Sequence, residues 1–303
     1  MNAQIYNNLF SGLNLIKIFY KVPEKIPILN SLYLRHMIHM ITSLQNPLIK
    51  NVLLLEEKSR ERKKQDLFII EGLREFHLAV SGGFSIQSVF YCPELLPPEE
   101  VKKTLGAFLN SGVFEVSLQV YNRMAYRNDV EGIIALARPR QYGLPDLNLF
   151  ANPLILILEA VEKPGNLGAV LRTADAANLD AVIICDPLSD VYNPNAVRSS
   201  IGCIFTVPIA VSSAEETLAW LRSKSITSYA TSPDAGLFYH TCDFRGPTAF
   251  VMGTESTGLS EHWLTRADHV VKIPMSGKID SMNVSVSAAI VVFEARRQRN
   301  FNS

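Results

Sequence analysis

Three stretches in the second half of the chain hold the residues whose types and spacing could do chemistry. The first is Glu159-Ala160-Val161-Glu162-Lys163-Pro164-Gly165-Asn166-Leu167-Gly168-Ala169-Val170-Leu171-Arg172-Thr173. A strand ends there, Pro-Gly makes a turn, and a helix begins near Asn166. Asn166 and Arg172 fall near the start of that helix on neighbouring faces. Taken alone, Asn166 suits a helix cap and Arg172 a solvated charge. The second stretch, Phe250 to Ser260, contains Gly253-Thr254-Glu255-Ser256-Thr257-Gly258-Leu259. It has the outline of a GxxxxGK[ST] phosphate loop, but Leu259 stands where the lysine must meet the phosphates, which excludes an ATP site. A glutamate between two glycines, in a loop straight after a strand, is a functional placement. The third stretch, Ile273 to Ala289, runs from a strand through a polar, glycine-containing loop into a helix whose first turns carry small residues. Small residues there let a ligand or another backbone come close, or let the helix pack tightly. No GxGxxG follows any strand, which weakens a dinucleotide site.

An α/β scaffold must position these stretches. Nearly continuous apolar runs at Pro153–Leu158, Ala181–Cys185, Val207–Val211, Thr248–Met252 and Val270–Ile273 predict strands buried on both faces. Helices fall between them, including Ala214–Arg222 and a final one from about Val284 to Arg299. In an open parallel sheet, ligands bind beyond the carboxyl ends of the strands, where all three stretches lie. Ahead of this comes a smaller unit. Asn46-Pro47 starts a charged helix to about Lys64, followed by a strand at Leu67–Ile70 and a helix at Leu73–Val80 that stops at Gly82-Gly83. Further strands fall at Ile86–Cys92, Phe114–Leu118 and Gly132–Ala137, with a helix opening at Pro97-Pro98. The alternation predicts a small α/β domain with a largely parallel sheet. The domain boundaries expected are an extension over 1–39, the small domain over 40–138, a Pro- and Gly-containing linker over 139–150, and the larger domain over 151–303.

The chain has 303 residues, 48% hydrophobic and 19% charged, enough for two domains with cores of their own. Lys plus Arg equals Asp plus Glu, 29 each. That balance counts against a nucleic-acid binder unless positive charge is gathered locally. Residues 50–66 carry six basic and four acidic side chains, a modest RNA-facing surface or a solvated helix. Cys92, Cys185, Cys203 and Cys242 lie far apart without a CxxC pair, which argues against zinc or a disulfide framework and fits a reducing compartment, the cytoplasm. The first 39 residues do not form a signal peptide, since no Lys or Arg precedes Lys17 and asparagines interrupt the apolar run. Nor do they form a membrane span, because Lys17, Lys21, Glu24 and Lys25 fall within any window long enough. They are expected to be a poorly ordered extension, or sequence upstream of a start at Met37 or Met40.

In order and type, the three stretches resemble the three signature motifs of the SpoU/TrmH family of RNA ribose methyltransferases, within the SPOUT superfamily. The matching residues are Asn166, Gly168 and Arg172 in the first motif, and Gly253, Glu255, Gly258 and Leu259 in the second. The third is matched by Ile273-Pro274-Met275 and Ser281-Met282-Asn283-Val284-Ser285. The likeness covers about Pro153 to Arg299. Ser256 stands where many members have glycine and Met282 where leucine is usual; neither departure removes a catalytic side chain. More loosely, the first domain is similar to the L30e-like substrate domain of many members.

The resemblance implies a trefoil-knotted methyltransferase domain that binds S-adenosylmethionine, uses no metal and no membrane, and methylates a ribose 2′-hydroxyl. It implies ribosomal RNA of the 23S type before tRNA, and a homodimer through the knot and last helix, with each site borrowing residues from both chains. Backbone around Gly253, Gly258, Ile273, Met275 and Met282 would cradle the cofactor. Asn166 and Asn283 would orient the ribose and Arg172, Glu255 would orient Arg172 or the substrate, and Ser281 would contact RNA or cofactor. The family assigns hydroxyl activation to Arg172. Since guanidinium holds its proton at ordinary pH, two mechanisms stand: transient deprotonation helped by an RNA phosphate, or a charged Arg172 that clamps the phosphate and stabilises the forming alkoxide. Two other functions compete. A knotted enzyme acting on a base nitrogen would use an aspartate base, which the Ser-x-Asn signature speaks against. A non-catalytic RNA-binding relative would show decayed motifs.

Overall fold

Asn46 and Pro47 start the first helix as their types dictate. In the computed structural model, which describes residues 40–105, 108, 112–126, 131–140, 142–278 and 281–301, the Asn46 side chain accepts from Leu48 N at 2.9 Å and Pro47 opens α1 (Pro47–Glu57). The extension over 1–39 lies outside the described residues. The single charged helix expected to reach Lys64 is two helices, because Lys58 is extended (φ −114, ψ 106) between α1 and α2 (Ser59–Gln65). The break folds Arg62 back onto the open end of α1, where it donates to Leu55 O at 2.6 Å and Glu56 O at 3.1 Å. Its Nε donates to Asp190 at 2.6 Å. Arg62 is buried, so part of the charge run taken for a solvated or RNA-facing face is interior.

Four strands follow: β1 (Phe68–Glu71), β2 (Ile86–Tyr91), β3 (Val113–Glu115) and β4 (Ile133–Ala137), in the order β1-β4-β2-β3. Helices α3 (Leu73–Ser81), α4 (Pro98–Leu105) and α5 (Leu118–Met124) connect them. The sheet is not largely parallel, as the alternation suggested. β4 is antiparallel to both β1 and β2, and the parallel pair is β2 with β3. The α3 crossover carries β2 in the same direction as β1 but leaves a strand's width between them, which β4 enters from the opposite end. The strand expected over 114–118 stops at Glu115, because the Ser117 side chain caps α5.

The larger sheet has seven strands, all parallel, in the order β7-β6-β5-β10-β8-β11-β9. They are β5 (Leu154–Glu159), β6 (Ala181–Cys185), β7 (Ile209–Ser212), β8 (Thr227–Thr231), β9 (Leu237–Phe238), β10 (Thr248–Met252) and β11 (His269–Lys272). Helices α6 (Pro164–Ala176), α7 (Pro194–Ser199), α8 (Ala214–Ser223), α9 (Glu261–Arg266) and α10 (Val284–Gln298) cover its faces. Alternate residues of β5 serve opposite layers: Leu154, Leu156 and Leu158 pack with α6 and α10, and Ile155 and Ile157 with α8 and α9. β8 carries no apolar run. Its Ser228 is nevertheless fully buried, because the backbone N–H and hydroxyl donate to Asp268 at 2.8 and 2.7 Å.

The two sheets meet across an aromatic seam. The rings of Phe68 and Tyr192 lie 4.6 Å apart, and those of Phe84 and Phe205 5.1 Å. Gly82 permits this approach, since a Cβ there would meet Phe205 O at 2.5 Å. Among the described residues, no helix is long and apolar enough to cross a membrane.

Candidate active site

The parallel order sets the site. β5 and β10 are adjacent, and β11 lies two strands from β10, so the loops after all three leave the same edge of the sheet. After β5, Ala160 turns the chain in the left-handed region (φ 50), and α6 begins at Pro164. Asn166 is therefore not a helix cap; it sits inside the first turn of α6. Asn283 is the cap instead. Its Oδ1 accepts from Ser285 N at 3.0 Å at the start of α10, which leaves its amide nitrogen free for the site.

That nitrogen draws the three stretches together. Asn283 Nδ2 donates to Asn166 Oδ1 at 3.1 Å and to Glu255 Oε1 at 2.6 Å. The other Glu255 oxygen accepts from Lys163 Nζ. The Lys163 hydrogen bond, against a smaller opposing burial, holds the Glu255 carboxyl below the usual carboxylate range, and Glu255 in turn raises the Lys163 ammonium.

Beside this network, a cleft of about 500 Å³ opens between the loops after β8, β10 and β11. Gly253, Glu255, Gly258, Ile273, Met275, Ser281 and Met282 all line it, so the expected cofactor residues share one cavity. The volume lies in the range that encloses a small ligand. Met252, Leu259, Val271, Ile273, Met275 and Met282 give apolar walls for a planar ring, and the loop backbones give polar groups. The two glycines act differently. A Cβ on Gly253 would strike the backbone of Gly258 and Leu259, so the absence of a side chain closes the loop on itself. Gly258 needs its positive φ (69) and would point a Cβ into open space. Gly168 is an internal contact as well: a Cβ would meet Ser200 N at 2.6 Å where α7 crosses α6.

Arg172 is not brought into the network. It lies six residues beyond Asn166, roughly 9 Å along α6. It is exposed, lines no wall of the cleft, and has no hydrogen-bond or ion-pair partner among the described residues. Glu255 contacts Lys163 and Asn283 rather than Arg172. The motif spacing did not point to Lys163 or to Glu159. Glu159, at the end of β5, accepts from Ser260 N at 2.7 Å and Ser260 Oγ at 2.6 Å and so ties down the far end of the Gly253 loop. A glutamate ending an otherwise apolar strand was the one available signal for it. Among the described residues, no group of three or more His, Cys, Asp or Glu is placed to hold a metal.

Known proteins share this fold. Residues 153–293 match the model of the SpoU rRNA methylase family, and residues 46–135 match an MRM3-like substrate binding domain. A solved RNA 2′-O ribose methyltransferase is 38% identical, with a TM-score of 0.74 over 86% of this chain and 99% of that one. The chain belongs to the SpoU methylase family. An AdoMet-bound rRNA methyltransferase from Sinorhizobium meliloti is 29% identical, with a TM-score of 0.78 over 87% of this chain and 98% of that one. The 23S rRNA (guanosine(2553)-2′-O)-methyltransferase RlmP of Bacillus subtilis is 27% identical over 84% of this chain and 98% of its own length. The SpoU match spans the seven-stranded sheet, and the substrate-binding match spans the smaller N-terminal one.

Proposed function

We propose that this SpoU methylase is an S-adenosylmethionine-dependent enzyme that methylates a ribose 2′-hydroxyl of ribosomal RNA, 23S rRNA before tRNA. The observation that carries this is the junction of the three stretches at Asn283, which hydrogen-bonds Asn166 and Glu255, the latter lining a ligand-sized cleft. The domain division follows: residues 40–138 hold the RNA, 139–150 link, and 151–303 carry the chemistry, in a knotted chain path.

Backbone of the loops at Gly253, Gly258, Ile273, Met275 and Met282 would hold S-adenosylmethionine, whose sulfonium supplies an electrophilic methyl without a metal. The protein's remaining task is to place the ribose oxygen in line with that methyl. Asn166 and Asn283, joined to the cleft through Glu255, would orient the ribose, Glu255 sets the Asn283 amide, and Ser281 meets the RNA or the cofactor edge. Arg172, exposed and without a partner among the described residues, is free to grip an RNA phosphate in a bidentate pair and stabilise the alkoxide as it forms.

Because Arg172 does not line the cleft of its own chain, a homodimer with borrowed residues gives it a site to serve. Such a dimer would use α10, where Val286 and Phe293 are exposed apolar side chains on a helix otherwise packed against the core. The unpaired cysteines fit a reducing compartment, and the cytoplasm is the compartment proposed.

Deleting the gene should remove one 2′-O-methyl nucleotide from 23S rRNA, mapped by its resistance to alkaline cleavage. An unchanged rRNA map together with a lost ribose methyl in tRNA would move the substrate, and unchanged maps in both would refute the function.

A further inference from the structure

Lys163 occupies the N-cap position of α6 and makes no side-chain cap bond there. A cation is electrostatically misplaced at a helix N-terminus. Its position answers to Glu255 instead, which it meets from the loop after β5 while two-thirds of its side chain stays exposed. Two neighbouring contacts run alongside. Ser256 Oγ donates to Glu162 Oε1 at 3.4 Å, and Ser260 is held by Glu159. The end of β5 and the loop after it thus clasp the loop after β10 at three points, and only the Lys163 contact reaches the residues of the site.

We propose that Lys163 is a positioning residue for methyl transfer: by holding the Glu255 carboxylate it fixes the Asn283 amide, and with it the polar groups that face the ribose. The chain of contacts is short. Asn283 can present either its oxygen or its nitrogen to Glu255. A Glu255 carboxylate held by an ammonium is an acceptor on both oxygens, so it demands the nitrogen at 2.6 Å. The Asn283 oxygen then faces Ser285 N and caps α10, and the same nitrogen reaches Asn166. This assignment rests on the methyltransferase reading.

The charged groups facing this cluster from the end of β5 and the loop after it are Glu159, Glu162 and Lys163. The partners from α6 and α10 are neutral: Asn166, Asn283 and Ser285. With its carboxyl below the usual range, Glu255 keeps the network intact above the ordinary carboxylate titration. The network is lost as pH falls through the depressed value. Without the Lys163 ammonium, that point moves to higher pH.

The test compares Lys163→Gln, Lys163→Arg and Glu255→Gln in single-turnover methylation of an rRNA fragment from about pH 5 to 9, a range spanning the reference Glu pKa. Lys163→Gln should lower kcat by about tenfold, leave the calorimetric affinity for S-adenosylmethionine and the KM for RNA within about twofold, and shift the acidic limb upward. Lys163→Arg should restore most of the rate. Adding Lys163→Gln to Glu255→Gln should cost nothing further, as expected of residues acting as one unit. A carbon-13 titration of the Glu255 carboxyl needs no substrate and should move upward in Lys163→Gln. A loss confined to KM that fades with salt would make Lys163 an RNA phosphate contact and overturn the proposal, as would an unmoved Glu255 titration. If the wild type methylates no RNA, the methyltransferase reading fails, and the carboxyl titration still decides the Lys163–Glu255 part.

Discussion

Gly168→Ala separates a glycine needed for packing from one needed by a ligand. In an open helix interior, Gly to Ala stabilises by about 1 kcal/mol. At Gly168 the added methyl would meet Ser200 N at 2.6 Å and the Ser199 carbonyl carbon at 2.7 Å, besides the Ser199 hydroxyl. The hydroxyl can rotate away, but the two backbone atoms belong to the end of α7 and cannot yield alone. Overpacking of this kind costs typically about 1–3 kcal/mol. With rigid atoms on two sides the upper end applies, leaving a net loss of about 2 kcal/mol after the propensity gain. For a domain of this size that lowers Tm by roughly 4–8 °C. Gly165 is the control, also in α6, where the nearest atom to an added Cβ is 4.0 Å away. Gly165→Ala should leave Tm unchanged or raise it slightly. Thermal unfolding of both variants, followed by circular dichroism, is the assay. A Gly168→Ala protein as stable as wild type would refute the assigned α6–α7 contact.

Gly253→Val should abolish calorimetric binding of S-adenosylmethionine while the far-ultraviolet spectrum stays native, because the Gly258–Leu259 backbone leaves no room for a side chain; retained affinity would remove this loop from the cofactor site. Arg62→Met should cost about 3–5 kcal/mol in denaturant unfolding by leaving Asp190 without its buried partner; a change under about 0.5 kcal/mol would contradict the buried seam. Arg172→Ala should remove methyl transfer with cofactor affinity nearly intact, since the loss falls on the transition state. Arg172→Lys distinguishes the two mechanisms: a phosphate clamp predicts poor activity at every pH, whereas a base predicts recovery as pH approaches the reference lysine value of about 10.4.

Part of the candidate site was legible because Gly253, Glu255, Ser281 and Asn283 lie outside helices and strands, where type and order, not periodicity, carry the information. Gly253, Glu255 and Asn283 could be found without knowing which strands are neighbours. What a local pattern cannot encode is which partner a side chain meets. Asn166 looked like a cap because Pro-Gly precedes it, yet α6 starts earlier and Asn283 takes the capping role. Lys163, inside the first stretch, carried no signal of its own, and its meaning lies in a glutamate 92 positions away. Arg62 sat in a charge run, and a single extended residue at Lys58 turned it inward. β8 escaped notice because Thr-Ser-Tyr-Ala-Thr has no apolar run, its buried serine being satisfied by Asp268. The direction of β4 was likewise invisible, since an apolar strand of five residues reads the same in either orientation. In the large sheet β5, β6 and β10 are buried along their whole length, as their apolar runs indicate, whereas β7 and β11, expected to be buried on both faces, are partly exposed.

The most direct test of the account is transfer of tritium-labelled methyl from S-adenosylmethionine to unmodified 23S rRNA by the purified protein, followed by digestion to nucleosides. The label should elute as a single 2′-O-methylated nucleoside, and Arg172→Ala should give none. Label on a base, or no transfer by a protein that binds the cofactor, would contradict it.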